Sequence, residues 1–141
     1  MFTYRYPRPM VTTDIVVLKK DATGVNVLLI ERRNPPFEGQ WALPGGFVDE
    51  NEALKAAALR ELKEETQLEG IELSQLHTFG NPGRDPRGHS VSIVYMGWLI
   101  DAKQQAAAGD DAKKTGWFPI NELPQLAFDH KEIIALAIKK L

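Results

Sequence analysis

Apolar positions along this chain follow two rhythms. Between residues 12 and 30 they form short β-branched runs, Thr12 to Leu18 (TTDIVVL) and Val25 to Ile30 (VNVLLI), divided by Asp21-Ala22-Thr23-Gly24. A turn signal between two such runs predicts a β-hairpin. Trp41 to Val48 (WALPGGFV) is partly extended, and Pro44-Gly45-Gly46 within it marks backbone that must turn or pass close to another group. From Glu52 to Leu68 the rhythm changes. Ala, Leu, Lys and Glu dominate without Gly or Pro, which predicts the strongest helix of the chain.

Further on, Ile71 to Phe79 and Val91 to Ile100 read as strands, separated by the irregular loop Asn81 to Gly88 (NPGRDPRG). Ala106 to Lys114 reads as a loop and Trp117-Phe118-Pro119 as the close of a short strand. Asp129, followed three residues later by Glu132, has capping-box spacing ahead of the apolar run of a last helix. Strands interleaved with two clear helices predict an α/β (α+β) fold, a mixed sheet sandwiched between helices.

Length and composition narrow the classes. A chain of 141 residues has room for one domain, taken as residues 1–141. With 43% hydrophobic and 26% charged residues it matches ordinary globular proteins and needs no staples to fold. The absence of Cys excludes a disulfide framework, a thiol nucleophile and Cys-ligated zinc, and the three His are scattered. A net charge of −2 supplies no global field toward nucleic acid or an anionic membrane, so a bound anion must be held by local groups. The first ten residues lack the apolar core of a signal peptide, and no run is long enough for a membrane-spanning helix. The expectation is a cytoplasmic protein without nucleic-acid or membrane partners.

Chemistry concentrates in the long helix. Glu61, Glu64 and Glu65 stand at i, i+3 and i+4, so three carboxylates share one face. Like charges at these spacings repel by some tenths of a kcal/mol each. The crowding is accounted for by a solvated face paired with Arg60 and Lys63, or by a cation that neutralises it.

The surroundings decide between these. Gly46, Glu52, Arg60, Glu61, Leu62, Glu64, Glu65 and Leu68 occupy eight of the nine specified positions of the pattern G-x5-E-x7-R-E-U-x-E-E-x-G-U, with U apolar. This resembles the Nudix box. Six exact identities at set spacing arise by chance in roughly one of ten million windows at residue frequencies near 7%. The resemblance runs over nearly the whole chain and implies Mg²⁺-dependent hydrolysis, with Mn²⁺ as a substitute, of a nucleoside diphosphate linked to another moiety. It assigns metal to Glu61, Glu64, Glu65 and the carbonyl of Gly45, and suggests a homodimer. Hard cations taking oxygen ligands suit such carboxylates. Glu52 is expected at the helix start as support, and Arg60 to orient a carboxylate by a forked hydrogen bond. Glu64 is the first candidate for general base; Asp110 or Asp111, on the loop before the last strand, is the second. The ninth box position, normally Gly, is Gln67. A left-handed helix end costs a non-Gly residue roughly 1–2 kcal/mol, so the helix end is expected to shift toward Gly70.

The substrate is read from the segment Gly80 to His89, which is similar to a loop of many ADP-ribose pyrophosphatases. Arg84 and Arg87 either grip phosphate or ribose oxygens or pair internally with Asp85. Arg32 and Arg33 are further anion candidates, and Trp41, Phe37 and Trp117 could stack on adenine or belong to the core. Cleavage of ADP-ribose to AMP and ribose 5-phosphate is the favoured reading. A nucleoside triphosphate pool cleaner and a non-hydrolytic ADP-ribose sensor are the rivals.

Overall fold

The structure, a computed structural model, describes residues 1–101, 103–109 and 112–141. Its centre is β1 (Met10–Asp21), buried on both faces over most of its length. The hairpin predicted from the Asp21–Gly24 turn forms, with β2 (Gly24–Arg32) antiparallel to the C-terminal end of β1 in the register Leu18↔Val27. Asp21 closes the turn by accepting hydrogen bonds from the Thr23 amide and hydroxyl at 2.8 and 2.6 Å. The other half of β1 pairs antiparallel with β4 (Gly45–Phe47), while β3 (Trp41–Ala42) lies against β2. On its opposite edge β1 runs parallel to β6 (Ser90–Trp98), which pairs with β5 (Ser74–Phe79). Finally β7 (Ala112–Pro119) pairs with β2. One parallel pair among antiparallel ones is the mixed sheet expected.

The period of two along β1 divides the core. Ile15 and Val17 join Leu28, Ile93 and Tyr95 beneath α1 (Leu54–Thr66), whose Ala58 and Leu62 are fully buried. Val16 and Leu18 face the other way, with Val27, Leu29 and Val94, against Ile133, Ile134 and Ala137 of α2 (His130–Lys139). A strand covered on both faces reads as a continuous apolar run, the form that TTDIVVL takes. Among the described residues no helix is long and apolar enough to cross a membrane.

Two helix ends differ from expectation. The first helix stops at Thr66 rather than moving toward Gly70, and Gln67 itself takes the left-handed cap at φ 64°, its amide donating to the Lys63 carbonyl at 2.8 Å. Leu68 then inserts into the α1-side core at 1% exposure. That burial offsets the cost of the cap and fixes where the helix ends. At α2, Asp129 makes no side-chain cap, because its carboxylate is held by Arg84.

Candidate active site

The short strand β4 threads Gly45 and Gly46 between β1 and α1. Pairing Thr13↔Gly46 and Asp14↔Gly45 leaves no room for side chains: a Cβ at Gly46 would stand 2.5 Å from the Glu61 carboxyl carbon, and one at Gly45 would collide with the Thr13 carbonyl and the Asp14 carboxylate. The glycines allow the carboxylate face of α1 to lie directly on the strand. Along that seam opens a cleft of about 330 Å³, lined by residues that include Asp14, Arg32, Gly45, Gly46, Glu61 and Glu65. Arg84, Asp85, Arg87 and His130 close its other side.

Arg60 organises the acidic side. Its guanidinium forks onto Glu52, with Nε to Oε2 at 2.7 Å and Nη2 to Oε1 at 2.9 Å. It also donates to Glu61 at 2.9 Å, to Glu64 at 3.1 Å and to the Phe47 carbonyl at 3.0 Å. The Arg60 fork, with the Asp49 amide, holds the Glu52 carboxyl down at about 2, and the bond to Glu52 foremost raises the Arg60 guanidinium further above its ordinary value. Glu52 precedes the helix and folds back to Arg60, so it acts as a support. Glu65 is buried at 5% exposure and accepts from the Gly45 amide at 3.3 Å. Glu64, with a side chain 43% exposed, is at the rim and is not among the cleft-lining residues. Among the described residues no three acidic or His side chains already converge on one point as a ligand set. The oxygen-only donors Glu61 and Glu65, set against a glycine backbone that admits close approach, fit a hard divalent cation.

On the basic side the two loop arginines take different partners. Arg87 pairs with Asp85 through Nε at 3.1 Å and Nη2 at 2.9 Å. Burial works to raise the Asp85 carboxyl, and the hydrogen bonds and charge of Arg87 outweigh it, so it stays low. Arg84 forks onto Asp129 instead, at 2.9 and 2.6 Å, with its side chain only 6% exposed. Both arginines line the cleft as well. Arg32 lines it too, donating to the Pro36 carbonyl at 2.7 Å and lying 5.0 Å over the Phe128 ring. Arg33 turns away to the Ala112 carbonyl. The aromatic candidates Trp41, Trp117 and Phe37 are not among the cleft-lining residues: Trp41 packs edge-on against Phe118, Trp117 against the α1-side core and Phe37 behind Phe128. The rings at the cleft are Phe47 and Phe128, which flank Arg87 at 5.0 and 5.7 Å.

Sequence reasoning missed Phe47, Phe128, Thr12, Asp14 and Ser90. Asp14 carried a signal, a carboxylate inside the apolar run TTDIVVL. His130 is buried in the cleft wall, where its Nδ1 accepts from the Leu43 amide at 3.0 Å. Asp110 and Asp111 lie outside the described residues. The segment before them is not a free loop, since Ala107 and Gly109 donate to the Thr66 and Glu65 carbonyls at the end of α1, at 2.9 and 3.0 Å.

Known proteins resemble this chain in sequence and in fold. Residues 8–137 match the NUDIX domain family model. An ADP-ribose pyrophosphatase of Methanocaldococcus jannaschii is 46% identical over 129 residues, covering 92% of this chain and 73% of that protein. The ADPR responsive transcriptional repressor NtrR of Acinetobacter baylyi is 36% identical over 140 residues, 96% of this chain and 56% of its own length. The NUDIX domain of Shewanella oneidensis NrtR, solved in complex with ADP ribose, superposes with a TM-score of 0.87 at 35% identity, over 96% of this chain and 90% of that one. The chain belongs to the Nudix family. It is a hydrolase of that family, whose enzymes act with divalent metal ions.

Proposed function

We propose that this protein hydrolyses ADP-ribose to AMP and ribose 5-phosphate with Mg²⁺, or Mn²⁺ in its place. The observation that carries the reading is one cleft with the α1 carboxylates Glu61 and Glu65 on one wall and Arg32, Arg84 and Arg87 on the other. A diphosphate spanning it would meet cation-binding oxygens on one side and forked donors on the other. The 46% identity to an ADP-ribose pyrophosphatase supports the choice of substrate.

Glu61, Glu65 and the Gly45 carbonyl would hold the cation, with Glu64 as a further ligand or as the proton acceptor. When bound, the cation neutralises phosphate charge and lowers the pKa of water. Arg60 is a positioning residue that fixes the carboxylates. Arg32, Arg84 and Arg87, with Asp85 steering Arg87, would orient the diphosphate. A water oxygen adds to one phosphorus, the bridging P–O bond breaks, and Glu64 takes the proton from the water. The same reading has the protein acting as a cytoplasmic homodimer without a nucleic-acid partner. The net charge of −2 supports the last point.

The match to an ADP-ribose-bound repressor domain favours one second reading, binding without hydrolysis. The retained carboxylates of Glu61, Glu64 and Glu65 favour turnover. Incubation with Mg²⁺ and ADP-ribose, diadenosine polyphosphates or 8-oxo-dGTP, followed by chromatography, separates the cases. AMP and ribose 5-phosphate in equal amounts are expected. Tight binding of ADP-ribose without products would make the chain a sensor, and pyrophosphate release from 8-oxo-dGTP would make it a pool cleaner.

A further inference from the structure

We propose that the floor of the cleft, built by Asp14 and Ser90 beside His130, is a sugar-hydroxyl site holding the ribose on the far side of the diphosphate from the nucleoside. The proposal rests on the diphosphate-hydrolase reading above.

The parallel register of β1 and β6 aligns Met10 with Ser90 and Thr12 with Ser92. On the face toward α2, β1 presents Thr12, Asp14, Val16 and Leu18 in alternation, and β6 presents Ser90, Ser92 and Val94. The same face is apolar in its later half and polar where it underlies the cleft. These polar side chains are buried, Thr12 and Asp14 at 8% exposure, Ser90 at 1% and Ser92 at 0%. Burying such groups is costly unless each finds a partner. Ser92 has one, since its hydroxyl donates to Asp14 Oδ2. Ser90 Oγ, in a residue that lines the cleft, has none among the described residues. Thr13 Oγ1 is also unpartnered, but it lies on the opposite face and not in the cleft lining.

The remaining groups fit the same ligand. His130 accepts the Leu43 amide at Nδ1, so as a neutral ring it carries its proton on Nε2, 3.7 Å from Asp14 Oδ1 and beyond hydrogen-bond range. The floor thus combines two donors, Ser90 O–H and His130 Nε2–H, with a carboxylate acceptor. Arg84 and Arg87 are paired with Asp129 and Asp85, and the Asp14 carboxylate accepts readily from a hydroxyl. A vicinal diol both donates and accepts. A base would stack at the rim, where Phe47 is 43% exposed, and its own ribose stays with it. The deep floor is left for the second sugar.

Calorimetric titration of the full chain with ribose 5-phosphate and with AMP tests this. Ser90→Ala and Asp14→Asn should each weaken ribose 5-phosphate about tenfold, the scale of one lost hydrogen bond with its partner left unsatisfied, and leave AMP within about twofold. Ser90→Ala should melt no lower than the native protein, because it deletes a buried hydroxyl without a partner. Native affinity for ribose 5-phosphate in both variants, a loss for AMP instead, or a native protein that binds ribose 5-phosphate no tighter than inorganic phosphate overturns the proposal. Failure to cleave ADP-ribose while ribose 5-phosphate binds at the floor overturns the hydrolase reading alone.

Discussion

Two arginines three positions apart in one loop serve differently. Arg84 is buried and forked onto Asp129, tying the loop to the start of α2, whereas Arg87 is 38% exposed at the side chain and flanked by two phenyl rings at the cleft mouth. Arg87→Ala should therefore raise KM for ADP-ribose with little change in kcat. Arg84→Ala leaves a part-buried carboxylate without its cation and should also lower the urea midpoint. Equal kinetics and equal stability for both variants would refute this division. His130 makes a pH prediction. Burial foremost lowers its pKa, reinforced by Arg84 and Arg32 and opposed by the charges of Asp14 and Asp129. As pH falls below the ordinary value of 6.5, the unfolded chain takes up a proton that the folded chain refuses. This contribution is complete above that value and shrinks as pH falls toward the lowered folded pKa. His130→Gln should flatten the fall in urea midpoint between about pH 7 and 5.

The C-terminal end of α1 shows how elements share a cost. Gln67 stands in the left-handed region, and its side chain donates a long 3.4 Å hydrogen bond to the Ala108 carbonyl. Beside it, Ala107 and Gly109 satisfy the last carbonyls of the helix, and a Cβ on Gly109 would collide with the Glu64 carbonyl. Gln67→Gly removes a cost of roughly 1–2 kcal/mol and adds about 0.4–1 kcal/mol of unfolded-chain freedom. The net is a gain of up to about 1.6 kcal/mol, a rise of a few degrees in Tm for a domain of this size. Gln67→Ala keeps the strained conformation and should show no such gain in the same thermal scan.

Across the molecule, the cleft joins the α1 side of the sheet to the α2 side, so a bound cation should stabilise the whole cooperative unit. At a free concentration 100 times Kd the expected gain is about 2.7 kcal/mol, a Tm rise on the order of 5–10 °C. Glu61→Gln and Glu65→Gln should lose both this rise and turnover. Glu64→Gln, at the exposed rim, should keep most of the rise and lose about 10²-fold or more in kcat if it takes the proton. Thermal scans with Mg²⁺ and with EDTA read the first effect, and saturating kinetics the second. A Glu65→Gln variant that retained the full rise would remove the buried carboxylate from the cation site.

The sequence by itself determined the parts whose physics is local. Apolar period and turn residues set the β1–β2 hairpin, the long helix and the irregular loop, while fixed spacing put Glu61 and Glu65 on one helix face with Arg60 and Glu52 in support. What only the tertiary structure decided depended on partners distant in the chain. Burial of Leu68 against residues from several strands kept the helix end at Gln67. The carboxylate of Asp129, 45 residues from Arg84, drew that arginine away from Asp85 and left its own helix uncapped. Parallel pairing across 78 residues brought Ser92 to Asp14 and built the polar floor, because strand register is a long-range choice that no window of sequence contains.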